Sequence, residues 1–251
     1  MKPDRAVSPL QAEHQPEAIA ARLSAKRPAD YLADSVLGSI DGCVTTFAVV
    51  AGSVGGGLPA NVAIILGLAN LIADGFSMGA SNYLGVKSQA DAVEKARLAE
   101  HRHIDEVPEG EREEIRQIFA RKGYQGDVLE KIVEVITTDR ARWIETMLTE
   151  EHGLHLHGRR PFIAGLTTFV AFVFVGAVPL VPFFFSSLNP SETFAFSAVL
   201  TAIAFMVVGF VKGVVLGQSR LRSSVETILI GGAAATLAYL AGAWLRRAYG
   251  I

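Results

Sequence analysis

Only one cysteine, Cys43, occurs among 251 residues, which excludes an internal disulfide framework and any cysteine-cluster zinc or iron–sulfur site. Charge is scarce too: Asp, Glu, Lys and Arg make up 19% of the chain, against about 25% in ordinary globular domains. Neither sign dominates, because 23 basic and 25 acidic residues leave a formal charge of −2. No basic field exists to hold nucleic acid, and no nucleic-acid partner is expected. What is abundant is apolar: 50% of residues are hydrophobic and the mean hydropathy is +0.34, too high for a disordered chain. Any metal chemistry falls to carboxylates, histidines and methionines.

Charges crowd into residues 1–34 and 87–160, while long apolar runs fill most of the rest. A spanning helix needs about 20 mostly apolar residues. Five stretches qualify, at roughly 35–55, 60–84, 161–185, 193–214 and 226–245. The expected fold is an all-α polytopic membrane protein with five transmembrane helices and a helical insert between the second and third. Gly55, Gly56, Gly57 and Pro59 make the first two spans a tight hairpin. Pro179 and Pro182 predict a kink or exit near the end of the third span, and residues 186–190 predict a turn into the fourth.

Orientation follows the distribution of Lys and Arg in the flanks. Residues 1–33 hold five, the 87–160 segment thirteen and the 212–222 loop three, whereas the far side has only Arg246 and Arg247. The amino terminus and the insert are therefore expected in the cytoplasm and the carboxyl terminus outside. Residues 1–33 read as a mobile cytoplasmic tail, 34–85 as spans one and two, 86–158 as a helical metal-binding domain and 159–251 as spans three to five. No short apolar core with a cleavage site marks a secretory signal, and a prokaryotic cytoplasmic membrane is the expected location. Within the insert, the absence of Gly and Pro from Val86 to Ile104 predicts that the second span continues as one long helix until Pro108. Glu109 to Lys122 predicts a second helix, Gly123 and Gly126 break it, and Asp127 to Glu151 holds one or two more.

A carboxylate at bilayer depth costs a few kcal/mol and normally faces a cavity or a partner. Asp41 lies inside the first span and Asp74 inside the second. Asp34 and Asp41 are seven residues apart and share one helical face with Thr45, while Asn70, Asp74 and Met78 repeat at four-residue spacing. Oxygen ligands with one thioether suit a partly dehydrated divalent transition ion. Two plainer readings stand beside this one: Asp34 also fits a helix N-cap, and a lone Met78 also fits core packing. Lys212 and Glu226 read as snorkelling or paired groups. Glycines four apart, such as Gly38 with Gly42 and Gly75 with Gly79, read mainly as close intrasubunit packing.

The insert holds five of the six histidines. Glu100 with His103 and Glu111 with Glu114 are three apart, so each pair projects from one helical face, and Met147, Glu150 and Glu151 follow similar spacing. By pattern alone these acids equally describe a solvated, ion-paired surface. Glu150, Glu151, His152, His155 and His157 make either a metal-collecting entrance or a polar collar.

The run from Asp34 to Gly52, with Asp41-Gly42 and Thr46-Phe47, resembles the first span of the vacuolar iron transporter family. The stretch Gly67 to Gly79, with Asn70, Asp74 and Met78 followed by Tyr83-Leu84, resembles its second span, and similarity continues through Met147, Glu151 and Leu154. The resemblance covers about residues 30–245. It implies a homodimeric, proton-coupled exporter of Fe²⁺, with Mn²⁺ or Zn²⁺ as further candidate ions, and a pathway along the dimer interface lined by Asp34, Asp41 and Met78. It also implies that Glu100, Glu111, Glu114, Met147 and Glu151 bind metal between subunits. The sequence departs from the pattern at Asn70, where the family commonly has glutamate and where Asp74 is the candidate substitute. It departs again at His103, in place of a second acid, and at Leu148, in place of a second methionine. The rival readings are a membrane-anchored ferroxidase or iron-storage module and a metal sensor that does not transport.

Overall fold

The computed structural model describes residues 9–24, 30–156, 158–185 and 189–250, among which every regular element is helical. Residues up to Asp30 and residues from Tyr31 onward form two separate compact units. The first contains two short helices, α1 (Pro9–Glu13) and α2 (Pro16–Ser24), within the stretch expected to be a tail. Pro16 opens α2, where its missing N–H costs nothing, and Glu17 faces the positive end of the helix dipole.

In the second unit α3 (Leu32–Gly55) and α4 (Ala60–Glu106) form the expected hairpin. Gly57 turns the chain at φ +71°, a conformation that favours glycine, and Pro59 caps α4 from an extended backbone. α4 runs unbroken for 47 residues, from a span into the insert, because nothing between Gly85 and Pro108 interrupts it. Pro108 then opens α5 (Pro108–Arg121), followed by α6 (Gly126–Thr138) and α7 (Arg140–Glu150). Asp139 caps α7 by accepting from the backbone N–H of Ala141 and Arg142 at 3.0 and 3.3 Å.

α8 (Pro161–Gly176) hands over to a 3-10 segment, Val178–Phe184, which contains the two prolines expected to kink the third span. α9 (Pro190–Val215) starts before residue 193 because Asn189 and Glu192 form a reciprocal capping box. α10 (Arg220–Tyr249) starts at a Ser219 cap, ahead of the apolar stretch that begins near 226. The expected turn over 186–190 and His157 lie partly or wholly outside the described residues.

Among the described residues, five helical stretches are long and apolar enough to cross a membrane: Leu32–Gly55, the first part of α4, Pro161–Phe184, α9 and α10. Their outward faces carry Ile72, Phe76, Phe162, Phe174, Leu229 and Leu237, an apolar exterior suited to hydrocarbon. α8 packs on both α3 and α4, and α10 packs on α3 and α9. Glycine permits the closest crossings: a Cβ at Gly38 would lie 2.2 Å from the Thr168 carbonyl oxygen, and one at Gly42 2.4 Å from that of Phe172. The insert packs differently. Ile104, Ile115, Val133, Ile136, Trp143, Ile144, Met147 and Leu148 form its core, and Arg140 ties α7 to α4 through Asp105 at 2.5 and 2.8 Å and the His101 carbonyl at 2.8 Å.

Candidate metal centres

Near the end of α4, Glu100 points into the insert and is only 1% exposed. Two groups of side chains converge on it. Glu100, His103 and Glu111 form one, and Glu100, Glu151 and His152 the other, with one donor atom from each residue within 4.8 Å of the rest of its group. The three-residue spacing of Glu100 and His103 puts them on one face of α4, and Glu111 meets them from the first turn of α5. Glu151 and His152 follow the end of α7, so the second group closes only where α7 folds back on α4.

His103 Nδ1 lies 3.4 Å from Glu111 and 3.8 Å from Glu100, while His152 Nε2 is 3.0 Å from Glu100 and 3.7 Å from Glu151. Glu100 Oε2 and Glu111 Oε2 are buried without a hydrogen-bond partner. Such orphaned acceptors are costly in a neutral core, and a cation satisfies them. Burial, with the charges of Glu100 and Glu114 added, pushes the Glu111 carboxyl up to about 7. Burial and the charges of Glu151 and Glu100 raise Glu114 as well, and the hydrogen bond to Glu100 raises His152. Oxygen and imidazole donors of this kind suit divalent transition ions.

The other residues expected in the insert site lie around this centre. Met147 is fully buried in the apolar core, Glu150 pairs with Lys122 at 2.5 Å, and Glu114 is exposed beside the cluster. His152 was visible in the sequence only as part of a histidine-rich run; its position just past a helix end hid its approach to Glu100.

Asp41 and Asn70 flank a contact between the first two spans. Asn70 donates to Thr45 Oγ1 at 3.2 Å, and Thr45 donates to the Asp41 carbonyl at 2.9 Å. Asp41 is half-buried, and Asp74 is exposed on α4. Met78 is half-buried against the cluster of Val50, Leu71 and Phe172. Asp34 is 2% exposed and is held by Asn82 and Arg159, two residues the sequence did not single out. Asn82 continues the four-residue stripe of Asn70, Asp74 and Met78, so its position was available in principle; nothing local announces Arg159.

Five membrane-length apolar helices with carboxylates among them, and an insert that gathers acids and imidazoles around a buried glutamate, define a polytopic membrane protein carrying candidate metal ligands. The chain belongs to the VIT family, whose model matches residues 32–243. It is 32% identical over 231 residues to the vacuolar iron transporter of Toxoplasma gondii, covering 88% of this chain and 76% of that protein. It is likewise 32% identical over 211 residues to vacuolar iron transporter 1 of Tulipa gesneriana, covering 84% and 85%, and 30% identical over 207 residues to vacuolar iron transporter 1 of Arabidopsis thaliana, covering 82% of each.

Proposed function

We propose that this protein is a homodimeric, proton-coupled transporter that moves Fe²⁺, with Mn²⁺ or Zn²⁺ as further candidate ions, out of the cytoplasm. The observation that carries this reading is Asp41, a half-buried carboxylate on a membrane-length helix, beside which Thr45 of its own helix and Asn70 of the neighbouring span are joined by hydrogen bonds. A carboxylate at that depth is costly unless a proton, a metal ion or another partner neutralises it. Asp41 alternates between protonated and metal-bound forms, so an ion leaves as protons enter. The names of the relatives supply iron as the ion.

Asp74 supports the dimer. It is exposed on the stripe of α4 that also carries Asn70 and Met78, where a lone copy would present a carboxylate to hydrocarbon. A second copy covers that face and leaves a polar seam between subunits. The insert collects the ion, through Glu100, His103, Glu111, Glu151 and His152, on the side that the Lys and Arg count assigns to the cytoplasm.

Proteoliposomes with an imposed pH gradient test the scheme. Gradient-dependent Fe²⁺ uptake is expected for the wild type and is expected to vanish for Asp41→Ala while the folded protein is retained. Transport by Asp41→Ala that still follows the gradient refutes the role of Asp41. Metal binding without uptake by the wild type favours a sensor, and oxygen consumption on adding Fe²⁺ favours a ferroxidase.

A further inference from the structure

Asp34 lies in the first turn of α3, and its two carboxylate oxygens are treated unequally. Oδ1 accepts from Arg159 Nη1 and from Asn82 Nδ2, the latter at 2.8 Å, whereas Oδ2 is buried with no hydrogen-bond partner. A guanidinium can satisfy both oxygens of a carboxylate at once, and here it engages only one. Asn82 is fixed in turn, 2.7 Å from Thr168 Oγ1 and 3.2 Å from the Ala164 carbonyl, so α3, α4 and α8 all meet at this point.

Arg159 comes from the short connector between α7 and α8. The start of that connector carries Glu151 and His152, which reach Glu100, and its end is anchored where the Arg160 backbone N–H donates to the Tyr31 hydroxyl at 3.0 Å. Beside it, a cavity of about 650 Å³ between α4 and the connector is lined by Val86, Glu94, Arg97, Leu154, His155 and Arg159. The guanidinium therefore has room to swing away from Asp34, and a carboxylate, Glu94, lies on the cavity wall.

We infer that Arg159 is a built-in counter-cation at Asp34, which a divalent ion arriving from the insert must displace to reach the membrane spans. Arg159 is then a positioning residue: it touches no ion, and it sets how readily the entrance carboxylate accepts one. The buried free oxygen of Asp34 is the acceptor the incoming ion meets first. This inference rests on the transport reading above and adds to it that Asp34, in the first turn of α3 beside the connector, is the entrance.

Uptake kinetics and chemical modification test it together. Arg159→Gln is expected to lower the KM for Fe²⁺ by about tenfold, the scale of a lost charge-assisted hydrogen bond. Arg159→Lys, which keeps the charge, is expected to stay near the wild-type KM. An unchanged or raised KM in Arg159→Gln overturns the inference and marks the pair as structural. Should Arg159→Gln fail to fold, the wild type decides: Zn²⁺ titrated into the full chain is expected to increase labelling of Arg159 by phenylglyoxal, read by peptide mass spectrometry, and unchanged labelling overturns the inference. Absence of gradient-driven uptake by the wild type is a failure of the transport reading instead, and the labelling result then decides the Arg159 inference by itself.

Discussion

The span bundle and the insert bury their helices by opposite means. In the bundle, backbones touch across Gly38, Gly42, Gly79 and Gly165, and buried hydroxyls such as Thr168, Ser197 and Thr201 bond to carbonyl oxygens. In the insert, large side chains fill the core, with Ile115, Ile144, Met147 and Leu148 almost wholly buried. The difference follows the solvent. Where hydrocarbon surrounds the helices, burying leucine gains little, so close approach and hydrogen bonds hold the bundle; where water surrounds them, apolar burial is the main driving force. Buried acids differ in their partners: Asp34 is paired with an arginine, whereas Glu100 and Glu111 face imidazoles and each other, and all three keep an orphaned oxygen.

Truncation of the insert core is the largest expected effect. Leu148→Ala should destabilise the insert by about 2–5 kcal/mol through the cavity it leaves, measured by thermal unfolding in detergent. In the bundle the reverse change does the damage. Gly42→Ala should cost about 1–3 kcal/mol because its methyl meets the Phe172 backbone, whereas Gly85→Ala, with nothing within 4 Å, should stabilise α4 by up to about 1 kcal/mol. Equal tolerance of alanine at the two glycines would break the distinction drawn above. Glu100→Gln should weaken Zn²⁺ or Fe²⁺ binding by at least about tenfold in anaerobic titration, since both ligand groups share that residue.

The smallest expected effect concerns pH. Glu111 rises from 4.5 to about 7 on folding, so between those values the folded chain binds more protons than the unfolded one. Its contribution to stability is complete below about 4.5 and is lost as pH climbs through about 7; His152, also raised, acts with the same sign. The metal-free Tm should therefore fall by a few degrees between about pH 5 and 8, while the increment gained from added Zn²⁺ grows as Glu111 gives up its proton. A flat metal-free profile would remove Glu111 from the buried centre.

Much of the fold was legible because it follows from local chemistry. Apolar runs marked the five spans, Gly55 to Pro59 marked the hairpin, and Pro108 and Gly123 punctuated the insert. The starts of α9 and α10 were placed late because polar caps and first-turn charges at Asn189, Glu192 and Arg220 resemble loop sequence. The candidate site was legible where its partners share a helix, as with Glu100 and His103. It was not where they are brought together across the chain: His152 reaches Glu100 from 52 residues away, and Arg159 reaches Asp34 from 125.

The unbroken course of α4 separates two electrostatic environments on one rod. Between Asp74 and Glu100 the helix rises about 39 Å at 1.5 Å per residue, several times the Debye length of about 8 Å at physiological salt. Even without that screening, the Coulomb energy between unit charges at this distance is about 0.4 kcal/mol at an effective dielectric of 20, so an ion held at Glu100 repels one among the spans only weakly. With no joint along α4, a tilt of its membrane segment carries Glu100 through an arc of about 0.7 Å per degree on that 39 Å radius, so leverage links the two ends more strongly than charge does.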